Sequence, residues 1–149
     1  MATTTRLADV PAPALELKSM PNRFRSFVDD PADLSWFAGD SLLRTEWNPH
    51  NVLVSGEGAL LVDREWASTG AAWIDPALWL LWLVAHGHTC DHAERAAAAH
   101  PAWELAPAAG LNALARVQRR LWHSIAAEST DGWATPMQRA TRSWEEHRR

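Results

Sequence analysis

Apolar positions along the chain follow two different periods. From residue 41 to residue 62 they come in short extended pieces, Ser41-Leu42-Leu43, Val52-Leu53-Val54 and Ala59-Leu60-Leu61-Val62. The last two flank Ser55-Gly56-Glu57-Gly58, which predicts a hairpin turn. Arg44 to Asn51, polar and interrupted by Pro49, reads as a loop. Elsewhere the apolar residues recur at helical spacing. Pro21 opens a short helical pattern containing Phe24, Phe27 and Val28. Asp30-Pro31 is a cap followed by a first-turn proline, and the helix it starts carries Leu34, Trp36 and Phe37 and stops at Gly39. Asp75-Pro76 repeats that signal before a helix running through Ala85, apolar nearly all round and therefore buried. Asp91 with Glu94 has the form of a capping box for an Ala-rich helix ending before Pro101. A longer helix is predicted from about Pro107 to Ala127, with Leu111, Leu114, Leu121, Trp122 and Ile125 on its apolar face. Thr135-Pro136 caps a last helix that carries Met137 and Trp144. Residues 1–20, punctuated by Pro11 and Pro13 and without a period, read as an irregular lead-in. The rest, 21–149, reads as one domain of class α+β, mainly helical with a small β-hairpin.

Composition narrows the function classes. A chain of 149 residues, 47% hydrophobic and 21% charged, is large enough for one packed core and is not of disordered type. Acids exceed bases by 18 to 14, the opposite of the footprint expected for nucleic-acid binding. The most apolar run, Ala77 to Ala85, is far short of the roughly 20 residues that span a bilayer. Met1 to Val10 holds no apolar stretch of signal-peptide length. With a single Cys, no internal disulfide framework exists and a reducing, cytoplasmic setting is expected. Ten Trp and no Tyr is unusual usage, and most of the ten are expected in the core.

Candidate chemistry centres on Arg44-Thr45-Glu46-Trp47-Asn48-Pro49-His50-Asn51. It is followed after the hairpin by Asp63 at a strand end, then by Gly70 and Ile74-Asp75-Pro76. This order resembles the C-terminal lobe of the aminoglycoside phosphotransferase and choline kinase-like family, which has the protein kinase-like fold. The catalytic loop there reads His-x-Asp-x-x-x-x-Asn, followed by a hairpin, a metal-binding Asp, a Gly and a buried helix opened by an Asp. The likeness covers roughly residues 20–149, with its motif core in 42–82.

The resemblance implies ATP- and Mg²⁺-dependent phosphorylation of a small-molecule hydroxyl. In such chemistry positioning and charge stabilisation do most of the catalysis. By resemblance Glu46 stands at the position of the Asp base and Arg44 at that of the His. Asn51 and Asp63 stand at the metal positions. Gly70 and Asp75 are structural, the Asp75 carboxylate satisfying backbone N–H groups at the start of the buried helix. Glu46 extends the carboxylate by a methylene, and Arg44 replaces an imidazole by a permanent cation expected to pair with Glu46 or Asp63. Arg64 adds a second cation. No Gly-rich loop precedes residue 39, and Lys18 lies in the irregular lead-in, so the lobe that would cover the nucleotide is expected to be absent. The chain then reads as a fragment, a truncated phosphotransferase, or half of a site completed by an N-lobe or protein partner, with a degenerate loop that leaves it weak or inactive alone. The alternative is a non-catalytic, pseudokinase-like binding module whose bare lobe-facing surface is apolar.

Other clusters carry weaker signals. His86, His88, Cys90 and His92 are zinc-ligand types, but their spacing matches no standard zinc motif, and imidazoles also suit a helix C-terminus. His50 is either a solvated loop residue or a phosphate contact. Trp66, Trp73, Trp79 and Trp82 read as core rather than as a stacking platform. Trp47 is placed to border an acceptor pocket. Glu145 and Glu146 read as a solvated helix face, with attraction of a cationic acceptor as the alternative.

Overall fold

The computed structural model describes residues 16–62 and 66–149. In chain order these form β1 (Lys18–Ser19), α1 (Met20–Phe24), a 3-10 turn segment (Pro31–Phe37), β2 (Ser41–Leu43), a single 3-10 turn (Pro49–Asn51), β3 (Val52–Ser55) and β4 (Gly58–Leu61). They continue with β5 (Ser68–Gly70), α2 (Ile74–Ala85), α3 (Cys90–Ala97), a 3-10 segment (Pro101–Leu105), α4 (Ala108–Glu128) and α5 (Thr135–His147). The class is α+β and mainly helical, as the periodicity implies. No helix among the described residues is long and apolar enough to cross a membrane.

Two small sheets flank the loop at 44–51. In the first, β5 lies between β1, to which it is parallel, and β2, to which it is antiparallel. The second is the hairpin β3–β4, in register from Val52 opposite Leu61 to Ser55 opposite Gly58. Its turn is therefore Gly56-Glu57, and Gly58 takes the positive φ (135°) that glycine adopts without steric cost.

Several boundaries differ from the sequence reading, each for a local reason. The lead-in does not run to residue 20: Lys18 and Ser19 pair with Ser68 and Thr69. A strand that short has no visible period, and β5 itself was not foreseen. Pro31–Phe37 winds as 3-10 rather than α, with Asp30 accepting from the Ala32 N–H at 2.8 Å. Thr89, not Asp91, caps α3, accepting from the His92 N–H at 3.2 Å. Thr135 is the first helical residue of α5 rather than its cap. His100 caps the unforeseen turn Pro101–Leu105 through Nδ1, which accepts from the Ala102 N–H.

The core runs from the sheet into the helices. Phe37, Leu43, Ile74, Leu80, Leu81, Leu114, Val117 and Trp144 are almost wholly buried. α2 packs against α3 and α5, and α5 packs on α4. Phe37 meets Phe24 edge to face at 5.1 Å and Trp73 at 6.3 Å, joining α1, the 31–37 segment and the start of α2. Trp47, Trp73 and Trp144 are buried, and Trp79, Trp82, Trp103 and Trp122 pack against the core. Trp36, Trp66 and Trp133 are exposed, so Trp66 does not join the core as the sequence suggested.

Candidate functional site

The loop at 44–51 begins where β2 runs into the N-terminus of α2. Leu43 is buried in the sheet, and the next residue meets Asp75 in the first turn of the helix. Asp75 Oδ2 accepts from the Arg44 N–H at 2.8 Å and Oδ1 from the Thr45 N–H at 2.9 Å. This corrects the sequence reading: the carboxylate holds the loop, not the N–H groups of its own helix. Burial pushes the Asp75 carboxyl above the usual carboxylate range, and the bonds from Arg44 and Thr45 oppose that shift without cancelling it. The Trp47 indole also acts to lower it. Even so, Trp47 Nε1 is buried without a partner at normal hydrogen-bond geometry. Trp47 is thus part of the core under the loop and does not border an open acceptor pocket.

Thr45 has φ of 63°, the one non-glycine with positive φ among the described residues. For a β-branched residue that conformation is unfavourable by roughly 1–3 kcal/mol and persists only where surrounding bonds over-determine it. Those bonds are Asp75 to the Thr45 N–H and the Thr45 hydroxyl donating to the Trp66 carbonyl at 2.6 Å. The kink turns the chain so that Glu46 leads the loop.

Glu46 is half-buried, and its Oε1 accepts from the Asn48 N–H at 2.8 Å. Asn48 Oδ1 in turn accepts from the His50 N–H at 3.0 Å and caps the turn Pro49–Asn51. His50 lies exposed on that turn.

Arg44 is buried, and its guanidinium occupies the inside of the loop. Nε donates to the Glu46 carbonyl at 2.7 Å, and Nη2 donates to the carbonyls of Asn51 at 3.1 Å and Val62 at 2.8 Å. Its charge also lies 5.5 Å from the Trp47 ring centre. The expected pairing with the Glu46 carboxylate is therefore replaced by bonds to carbonyls, which a planar fork with five donors can span. The Val62 N–H donates to the Asn51 carbonyl at 3.0 Å, closing the hairpin base onto the loop. Asp63 and Arg64 lie outside the described residues, and so does any pairing of Arg44 with Asp63.

Gly70 belongs to β5, opposite Ser41, beneath the loop. A Cβ there would lie 2.6 Å from Met20 Cγ and 2.9 Å from Leu43 Cδ1, so Gly70 is a packing position.

Among the described residues no group of three or more His, Cys, Asp or Glu is placed to hold a metal ion. Within the His/Cys run, the rings of His88 and His92 stack at 4.8 Å, while His86 Nδ1 bonds the Trp82 carbonyl at 2.7 Å. Burial, with Glu94 and Asp91 nearby, pushes the Cys90 thiol up, away from a ligating thiolate. Glu145 is not a solvated residue: it is largely buried between Arg119 and Arg149. Glu146 pairs with Arg142 at the surface.

Signals missed in the sequence include Thr45, since nothing in a Thr marks a left-handed residue, and the row of arginines on α4 described below. Compared with protein-family models, curated proteins and solved structures, the chain has no match.

Proposed function

We propose that this chain is the helical lobe of a kinase-like phosphotransferase acting on a small-molecule hydroxyl, weak or inactive on its own because its catalytic loop is degenerate. The observation that supports this reading is the double bond from Asp75 to Arg44 and Thr45. It fixes the loop so that Glu46 leads it and Asn51 closes it, with the hairpin returning Val62 to Asn51. Glu46 then stands in the role of proton acceptor for the substrate hydroxyl. Asn51 and Asp63 would hold Mg²⁺, whose preference for oxygen donors suits an amide and a carboxylate. When bound with ATP, Mg²⁺ would neutralise charge on the transferring phosphoryl group. Two features agree with weak activity. Glu46 uses one carboxylate oxygen on its own loop, and a misplacement of about 1 Å can lower a rate by roughly 10²-fold. Arg44 brings a permanent cation to the carbonyl of Asn51.

A second reading, a non-catalytic binding module, is favoured by the hairpin. Leu53 and Leu60, directly opposite each other in the hairpin, are exposed on one of its faces, an apolar pair of the kind found at interaction sites.

Thermal unfolding with and without Mg²⁺ and ATP separates the two. Ligand at 100 times its dissociation constant stabilises by about 2.7 kcal/mol. In a domain of this size each kcal/mol moves the midpoint by roughly 2–4 °C. A Mg²⁺-dependent rise that is lost in Asn51→Ala and Asp63→Ala supports the phosphotransferase reading. Cooperative melting with no such rise supports the binding module.

A further inference from the structure

A groove of about 400 Å³ lies apart from the candidate loop and shares no residue with it, lined by Asp29, Arg116, Arg119, Arg120, His123 and Glu145. The four basic side chains sit at i, i+3, i+4 and i+7 of α4, one face of the helix. Like charges so spaced repel each other, and the walls hold them in place. Arg116 reaches Asp33 at 3.1 Å, Arg120 bonds Asp29 and the Phe27 carbonyl, and Arg119 bonds Glu145 across on α5. Arg149 also pairs with Glu145, so four guanidinium groups surround three carboxylates on a chain whose net charge is −4.

The acids anchor the arginines without saturating them. Each guanidinium has five N–H donors. The bonds just given use one of Arg116, one of Arg119 and two of Arg120. The Gln138 amide lies 3.2 Å from His123 Nδ1, and a donor there leaves the ring proton on Nε2 as a further donor. The groove thus presents unused N–H donors on three guanidinium groups, each oriented by a carboxylate. A guanidinium fork matches both oxygens of a carboxylate or phosphate.

We propose that this groove binds a small anion carrying two or more phosphate or carboxylate groups, independently of the phosphotransferase reading. Pyrophosphate and citrate, each without Mg²⁺ and at constant ionic strength, are titrated into the intact chain. Calorimetry and the ¹⁵N-edited Nε–Hε resonances of the arginines are followed together. Saturable binding is expected, with the resonances of Arg116, Arg119 and Arg120 moving on the calorimetric curve. The double variant Arg116→Gln/Arg120→Gln should bind at least about tenfold more weakly. Binding of pyrophosphate alone identifies a phosphate site, and binding of citrate alone a carboxylate site. Absence of saturable binding by either anion, shifts that follow ionic strength only, or movement confined to arginines outside the groove overturns the proposal. The wild-type resonances decide the matter even if the double variant fails to fold.

Discussion

The carboxylate of Asp75 accepts the main-chain N–H of Arg44 at 2.8 Å across 31 residues of sequence, and its other oxygen takes the N–H of the next residue, Thr45. One buried side chain thereby sets the start of the loop and holds Thr45 at φ 63°. Asp75→Ala leaves two N–H groups without an acceptor and releases the kink. The expected loss is about 3 kcal/mol, read from urea unfolding, with Asp75→Asn losing roughly half as much.

The same residue gives a pH signature. Burial holds the Asp75 carboxyl above the usual range in the folded chain. The folded state therefore keeps a proton that the unfolded state has released. The contribution of Asp75 is complete below the ordinary Asp range and declines as pH rises through the raised value. Asp75→Asn cannot titrate. The stability difference, wild type minus Asp75→Asn, should fall with rising pH across that window when unfolding is measured at a series of pH values. A difference that grows with pH would mean that the two N–H bonds outweigh burial.

Arg44 ties three carbonyls, those of Glu46, Asn51 and Val62. Arg44→Ala should lose about 2–3 kcal/mol, since charge-assisted bonds to buried carbonyls are lost together. Arg44→Lys keeps the charge but not the fork, and should recover only part of that. Amide exchange at Val62, whose N–H bonds Asn51, should speed up in both variants.

Glu94 joins α3 to α5. Its Oε1 accepts from Trp144 Nε1 at 2.8 Å and from Arg148 Nη1 at 2.6 Å, and Trp144 is fully buried. Glu94→Ala leaves the indole N–H unsatisfied and should lose about 2 kcal/mol. Glu94→Gln retains an acceptor and should lose less. Guanidinium unfolding monitored by circular dichroism ranks the two.

Glycine is required more strictly at Gly39 than at Gly70. A Cβ on Gly39 would lie 2.5 Å from the Gly70 carbonyl oxygen and 2.6 Å from the Ala71 nitrogen, both main-chain atoms. At Gly70 the nearest atoms are side-chain carbons of Met20 and Leu43, which have rotamers to change. Overpacking costs about 1–3 kcal/mol, and Gly39→Ala should fall at or beyond the upper end with Gly70→Ala below it. Equal thermal midpoints for the two variants would contradict this.

The helices and the hairpin were legible because their signals are local. Continuous apolar character over Ala77–Ala85 lies within a single helix, α2, and the turn at 55–58 joins the strands flanking it. The caps were less legible: Thr89, Asp91 and Thr135 are all good cap residues, and one position decides which of them bonds. β1 and β5 were invisible because strands of two and three residues have no period of their own and exist through each other and β2.

At the candidate site, the resemblance of the residue order to a phosphotransferase loop grouped Arg44, Glu46, Asn51, Asp63 and Asp75, since loop, hairpin and helix follow one another along the chain. Local order along the chain thus fixes the class, the main helices and the hairpin, all properties of neighbouring residues. Only the tertiary structure decided which groups those residues bond. Asp75 turns to the loop rather than to its own helix, Arg44 bonds the carbonyls of Glu46, Asn51 and Val62, Trp47 is buried, and Glu145 is held between two arginines. The α4 arginines likewise acquire meaning only when Asp29, Asp33 and Glu145 arrive from distant segments. The physical reason is that a helix or turn forms from bonds within a few residues. A buried polar group, by contrast, takes whichever partner the packing of remote elements brings within about 3 Å.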